Sequence, residues 1–79
     1  MLQEVAGMDN MDASTKAGKC LRFLIEQNYA TQEEFSLDIH ADIRTVNRWI
    51  NQGISKVDTI QYLANHFGLT FIDFFSVIA

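Results

Sequence analysis

TQEEFSLDIHADIRTVNRWINQG, residues 31–53, decides the fold of this chain. The stretch predicts two short helices joined by a tight turn. Thr31 and Glu34 form a capping box at the start of the first helix, and Asp42 caps the second. His40 and the alanine after it make the turn, and Gly53 ends the unit.

The second of these helices, residues 43–51, has two chemically distinct faces at about 100° per residue. Its apolar face is formed by Ile43, Val46, Trp49 and Ile50. Its opposite face is formed by Arg44, Asn47, Arg48 and Asn51. Arginine can bond O6 and N7 of guanine together, and asparagine can bond N6 and N7 of adenine. The pattern therefore predicts a helix that packs by one side and enters a DNA major groove with the other.

Length and composition favour a single small folded domain. The chain has 79 residues, of which 48% are apolar, so it has enough apolar surface to fold but no room for a second core. It carries no apolar run near the ~20 residues of a membrane span and no secretory leader. Its single cysteine, Cys20, excludes an internal disulfide and a multi-cysteine metal site. We therefore expect a cytoplasmic protein that contacts no membrane.

The net charge of −4 opposes nucleic-acid binding, but the charges are unevenly distributed. The first 14 residues hold three acids and no base, whereas all six bases lie between Lys16 and Lys56. Without those three acids the chain has six bases and seven acids, so the folded part is nearly neutral. Such a domain can still present one basic face, with weak and salt-sensitive affinity for random DNA.

The remaining segments predict three more helices, and no strand-like alternation occurs. Residues 1–13 are expected to be a flexible tail, or alternatively a short apolar turn packed on the domain or on a partner, and residues 14–79 the folded domain. Helix 1, residues 15–27, buries a stripe with Cys20 at its edge, and Gly18 is a candidate for close backbone approach. Ser55 is expected to cap helix 4, which buries Val57 and ends at Gly68. Helix 5 starts at residue 71 and completes an all-α fold.

Residues 15–75 resemble the Cro/repressor-type helix-turn-helix family, often called the Xre family. The resemblance rests on Leu21 and Leu24, TQEEFS at 31–36, DIRTVNRW at 42–49, TIQYLANHFGL at 59–69 and TFIDFF at 70–75. It implies a compact five-helix lambda-repressor-like domain with its helix-turn-helix at helices 2–3. It also implies a transcriptional regulator, such as a repressor, that binds operator DNA as a dimer.

The resemblance also implies roles for particular residues. The residues implied to face base edges are Ile43, Arg44, Asn47 and Arg48, with Ile43 suited to a thymine methyl group. The residues implied to contact phosphates are Gln32, Thr45, Asn51 and Lys56.

The chain departs from the family pattern in its turn, in a buried pair and in its acidic balance. His40 replaces the usual glycine, and histidine tolerates a left-handed backbone better than most residues. Ile25 and Ile50 together replace a buried Arg–Glu pair, which leaves no buried charge alone.

Helix 5 carries more apolar surface than one small core uses. The residues expected to form a dimer interface are Phe71, Ile72, Phe75, Val77 and Ile78. A two-fold interface there would place two recognition helices one DNA turn apart. Cover by the N-terminal tail is the alternative.

No constellation for catalysis or metal binding is visible. No nucleophile, base and orienting group share a suitable spacing, and the two histidines lack a ligand set. We therefore expect no enzyme activity, no cofactor, no metal and no small-molecule ligand.

The alternative to a DNA-binding regulator is a protein-interaction module on the same fold, such as an antitoxin-like or anti-repressor subunit. For that module the acidic charge, helix 5 and exposed Leu37 would be the operative features.

Overall fold

The computed structural model describes residues 12–78, which form five α-helices and no strand. The helices are α1 Ala13–Asn28, α2 Gln32–Asp38, α3 Ile43–Gln52, α4 Val57–His66 and α5 Phe71–Ser76. The all-α prediction is confirmed, with helix ends within one to three residues of those expected. Residues 1–11 of the predicted tail lie outside the described residues, and none of the helices within 12–78 is sufficiently long and apolar to span a membrane.

Side-chain caps fix the starts of four helices. The Thr31 hydroxyl accepts the Glu34 N–H at 3.1 Å, and Glu34 reaches back to the Ala30 N–H at 3.0 Å. The Asp42 carboxylate accepts the Arg44 N–H at 2.8 Å. Asp12 caps α1 and Thr70 caps α5 in the same way. These local signals were readable from the sequence because each cap acts within three residues of itself.

The predicted Ser55 cap of α4 is wrong. The cap position is Lys56, which makes no side-chain capping bond, and Val57 is 63% exposed instead of buried. Ile54 is 2% exposed, and its N–H donates to the Ser14 carbonyl at 2.9 Å. This tertiary anchor sets the path of the connection, so α4 starts one residue later than a Ser55 cap requires.

All five helices contribute to one core. Leu21, Phe35, Val46, Leu63 and Phe74, one from each helix, have no exposed surface. Cys20 was expected at the edge of this core but is also fully buried. Burial raises the pKa of the Cys20 thiol, which therefore stays protonated at neutral pH.

Two glycines allow α1 and α3 to pack backbone to backbone. A Cβ at Gly18 would collide with the Trp49 carbonyl oxygen and lie 3.2 Å from the Ile50 oxygen. A Cβ at Gly53 would lie 2.6 Å from the Ser14 oxygen, and Gly53 has φ +101°. The close approach anticipated at Gly18 is confirmed. These contacts fix the depth at which α3 sits against the domain.

A four-residue connection, 39–42, joins α2 to α3. His40 has φ 58°, the left-handed conformation expected where the family has glycine. The Ala41 N–H donates to the Ser36 carbonyl at 2.9 Å, and Ser36 is buried. The turn therefore fixes the direction in which α3 leaves α2.

Candidate nucleic-acid interface

Helix α3 is held to the domain by one face. Val46 is fully buried, and Trp49 and Ile50 are half-buried against the core. This confirms that Trp49 is a packing residue. This packing fixes the orientation of the opposite face, which no other helix within residues 12–78 covers.

The polar stripe of α3 lies on that free face. Its four residues, Arg44, Asn47, Arg48 and Asn51, are exposed and line one shallow depression of about 300 Å³ together with Gln52. The four side chains therefore border the same open space. Three of the four predicted base contacts share this surface with Asn51, which was predicted to contact phosphate.

Ile43, the fourth predicted base contact, lies at the border between the core and the exposed polar stripe. It is half-buried and packs against the core at the first residue of α3. Its outer side shares a depression with Leu37 and Ala41 of the preceding segment. The side chain thus presents limited apolar surface next to the polar stripe.

Arg44 is bound to Asp42 in the free protein. Its Nε donates to one Asp42 carboxylate oxygen and its Nη2 to the other, both at 3.4 Å. The Arg44 backbone N–H, and secondarily this guanidinium, hold the pKa of Asp42 below its usual value. The Arg44 side chain remains 88% exposed, so the pair is a surface contact. This pairing was not predicted from the sequence, where Asp42 was assigned only the role of a cap.

A second depression, of about 350 Å³, lies between α3 and the start of α4. Thr45, Arg48 and Lys56 meet there, and the loop and α4 add two more hydroxyls from Ser55 and Thr59. Two cations and three hydroxyls are suitable partners for a phosphate oxygen. Two predicted phosphate contacts, Thr45 and Lys56, are thus brought together with Arg48. Ser55 was not predicted to belong to this site because it was assigned to a helix cap.

Gln32, the remaining predicted phosphate contact, is half-buried at the first residue of α2. It lies outside the two depressions formed around α3. The structure therefore keeps Gln32 at a helix N-terminus but does not group it with the other candidates.

A third depression, of about 420 Å³, borders α2 and has the opposite electrostatic character. Two acids, Glu33 and Asp42, line it, and Leu37 beside them is 75% exposed. Carboxylates repel phosphate, so this depression is unsuited to a phosphate group, unlike the one beside Lys56.

The predicted dimer residues of α5 and its C-terminal turn differ in exposure. Ile72 is 76% exposed, whereas Phe71, Phe75, Val77 and Ile78 are half-buried. Phe74 is fully buried and anchors the helix. Ile72 is thus the most exposed apolar side chain of α5, and the four half-buried residues around it are only partly accessible.

Each histidine has a role in the fold. His40 makes the turn, and His66 Nε2 lies 2.8 Å from the Tyr29 hydroxyl, which donates to Asp38 at 2.6 Å. Burial, followed by Asp38, raises the pKa of Tyr29 to about 12. Within residues 12–78 no three His, Cys, Asp or Glu side chains are grouped so as to hold a metal ion.

Comparison with known proteins yields no relative for this chain. The sequence matches no protein-family model, and searches of curated proteins and of solved structures return no significant match. Functional conclusions therefore rest on the residues and their geometry.

Proposed function

We propose that this chain is a sequence-specific DNA-binding protein that reads the major groove with α3. The observation that carries the proposal is the exposed Arg44, Asn47, Arg48 and Asn51 stripe on a helix whose other face is buried. A helix with a fixed inner face can present side chains to base edges at a defined angle, which recognition requires.

The connection between α2 and α3 supports a helix-turn-helix. It has four residues and one left-handed position, His40, which suits the short turn of that motif. In this arrangement α3 would be the recognition helix and α2 would cross the backbone above it.

Each side chain of the stripe has a suitable partner in the groove. Arg44 and Arg48 can bond guanine, Asn47 can bond adenine, and the exposed edge of Ile43 can contact a thymine methyl. The depression formed by Thr45, Arg48 and Lys56 would take a backbone phosphate next to these bases. Arg48 borders both depressions and could serve either partner.

The overall charge is consistent with a protein that relies on base contacts. With a net charge of −4 and acids at one edge of the interface, general attraction to phosphate should be weak. Binding to random DNA should therefore be detectable only at low salt, and affinity at a cognate site should depend strongly on the arginines.

A homodimer through α5 would complete the proposed regulator. Ile72 offers a large exposed apolar side chain, and its half-buried neighbours extend the surface. Two copies related by a two-fold axis would recognise half-sites one helical turn apart, as expected for a repressor of this type.

The proposal is tested by fluorescence anisotropy on a random-sequence duplex between about 50 and 200 mM salt. Wild type should bind at low salt, and Arg44→Ala/Arg48→Ala should bind more weakly with a shallower salt slope. Arg44→Lys/Arg48→Lys keeps both charges and should keep that slope. Lys19→Ala, which removes an exposed base from α1, should leave Arg-dependent binding intact. Equal binding by wild type and the double alanine variant would refute the proposal.

A protein-interaction module is the second candidate function, and the observation that favours it is Leu37. This side chain is 75% exposed beside two acids on α2, where DNA phosphate is disfavoured. A partner retained in high salt, lost on Leu37→Ser and unaffected by Arg44→Ala/Arg48→Ala would support it. Loss of that partner in the arginine variant would count against it.

A further inference from the structure

Asp42 makes two separable interactions at the start of α3. One carboxylate oxygen caps the helix through the Arg44 N–H at 2.8 Å. The two oxygens together receive Nε and Nη2 of the Arg44 side chain. A helix cap needs only the first interaction, so the second requires its own explanation.

We propose that Asp42 is a specificity-determining residue, because it holds the Arg44 guanidinium by its Nε edge and directs the remaining donors at a base. The inference rests on the proposed DNA binding. It adds that the Asp42 carboxylate makes Arg44 favour a base over a phosphate. Asp42 acts through Arg44 and is therefore a positioning residue.

The geometry of guanidinium explains how this works. The group has five N–H donors in one plane, and Asp42 engages the edge that carries Nε and one hydrogen of Nη2. The opposite end, formed by Nη1 and the second hydrogen of Nη2, stays free. That pair of parallel N–H bonds can meet O6 and N7 of guanine. The same pair could bind a phosphate, so the selection comes from direction: an unpaired guanidinium can turn either edge towards a phosphate, whereas the paired one offers a single edge in one direction.

The charges around α3 also support different roles for its two arginines, with Arg44 contacting a base and Arg48 a phosphate. The Asp42 carboxylate, whose pKa is lowered by its bonds to Arg44, is ionised at neutral pH and offsets the charge of Arg44. Arg48 has no such partner within residues 12–78 and borders the depression suited to phosphate. The two arginines thus differ electrostatically, and Asp42 lowers the contribution of Arg44 to nonspecific attraction.

Asp42→Asn separates the two interactions. Asparagine is among the best helix-capping residues, so the cap and the fold are retained, and thermal unfolding verifies this. The charge that holds the guanidinium is removed. Glu33→Gln is the matched control, because Glu33 borders the same depression on α2 and makes no contact with Arg44.

The first readout is the ratio of affinities for a duplex enriched by selection with wild type and for a random-sequence duplex. Asp42→Asn should raise affinity for the random duplex and lower the ratio by about two- to fivefold, the range set by an exposed charge pair. Glu33→Gln should leave the ratio unchanged. In an Arg44→Ala background, Asp42→Asn should also leave it unchanged. An equal fall in both backgrounds, or no fall with Arg44 present, would overturn the proposal.

The second readout uses no DNA. It tests the pairing of Asp42 with Arg44 separately from the proposed DNA binding. In an NMR pH titration, the Arg44 Nε–Hε resonance of wild type should shift as Asp42 is protonated. It should not shift over that range in Asp42→Asn, and Glu33→Gln should behave as wild type. Arg48 provides the unpaired reference, and Arg22, whose Nε lies 3.1 Å from Glu26, provides the paired one. An Arg44 resonance that follows Arg48 would overturn the positioning role. A normal Arg44 shift without any DNA binding would refute the proposed function, and with it the specificity role that rests on it, while leaving the Asp42–Arg44 pairing established.

Discussion

Gly18→Ala should destabilise the fold although alanine is the better helix former. The added Cβ would collide with the carbonyl oxygen of Trp49 and approach the Ile50 oxygen at 3.2 Å and the Gly53 Cα at 3.3 Å. All three obstacles are backbone atoms, so no side-chain rotation relieves the contact. Either α1 or α3 has to move.

The magnitude follows from two opposing effects. Overpacking costs about 1–3 kcal/mol, and the upper end applies because the obstacles are backbone atoms. Replacing glycine by alanine within a helix returns about 1 kcal/mol. The net loss in the free energy of unfolding should be about 2 kcal/mol, which for a domain of this size lowers Tm by about 8–16 °C.

Urea unfolding followed by circular dichroism and by Trp49 fluorescence measures this loss. Gly68→Ala is the comparison, because an added Cβ there has no atom within 4 Å and only the left-handed φ of 73° opposes it. That variant should lose about 1 kcal/mol. A Gly18→Ala protein as stable as wild type would show that α1 and α3 are not packed as described.

Three further predictions concern a cap, a half-buried phenol and the α5 surface. Thr31→Ala should lose about 1 kcal/mol in urea unfolding because the Glu34 N–H loses its acceptor, whereas Thr31→Ser should not; equal stabilities would contradict the cap. The folded pKa of Tyr29, about 12, exceeds its ordinary 10, so its contribution is present below pH 10 and lost between pH 10 and 12. Tyr29→Phe should show a smaller fall in Tm over that range than wild type; an equal fall would refute the linkage. Ile72→Asp should convert a dimer to a folded monomer in sedimentation velocity, and an unchanged sedimentation coefficient would exclude Ile72 from an interface.

Local chemistry made much of the fold predictable. The caps at Thr31 and Asp42 act within three residues, and the two faces of α3 follow from helical periodicity alone. The left-handed turn at His40 was expected by comparison with the family pattern and is confirmed. These features depend little on which other helices are nearby.

Features that depend on packing between distant segments were missed. The start of α4 is set by Ile54, which is buried and bonded to Ser14, a residue 40 positions earlier in the chain. Cys20 looked peripheral on a helical projection, but α1 is covered on more than one side. The grouping of Ser55 with Arg48 around a depression likewise needs the position of α4 against α3. Periodicity contains no information about such contacts.

The most direct test of base reading by α3 is selection from a random-sequence library of duplexes about 20 bp long, two helical turns. Wild type should enrich a motif, and Arg44→Ala should enrich the same motif with one base pair relaxed, losing about 1–3 kcal/mol at the wild-type site. Identical motifs and affinities for the two proteins, or no enrichment by wild type, would contradict the claim that the arginine and asparagine stripe reads DNA.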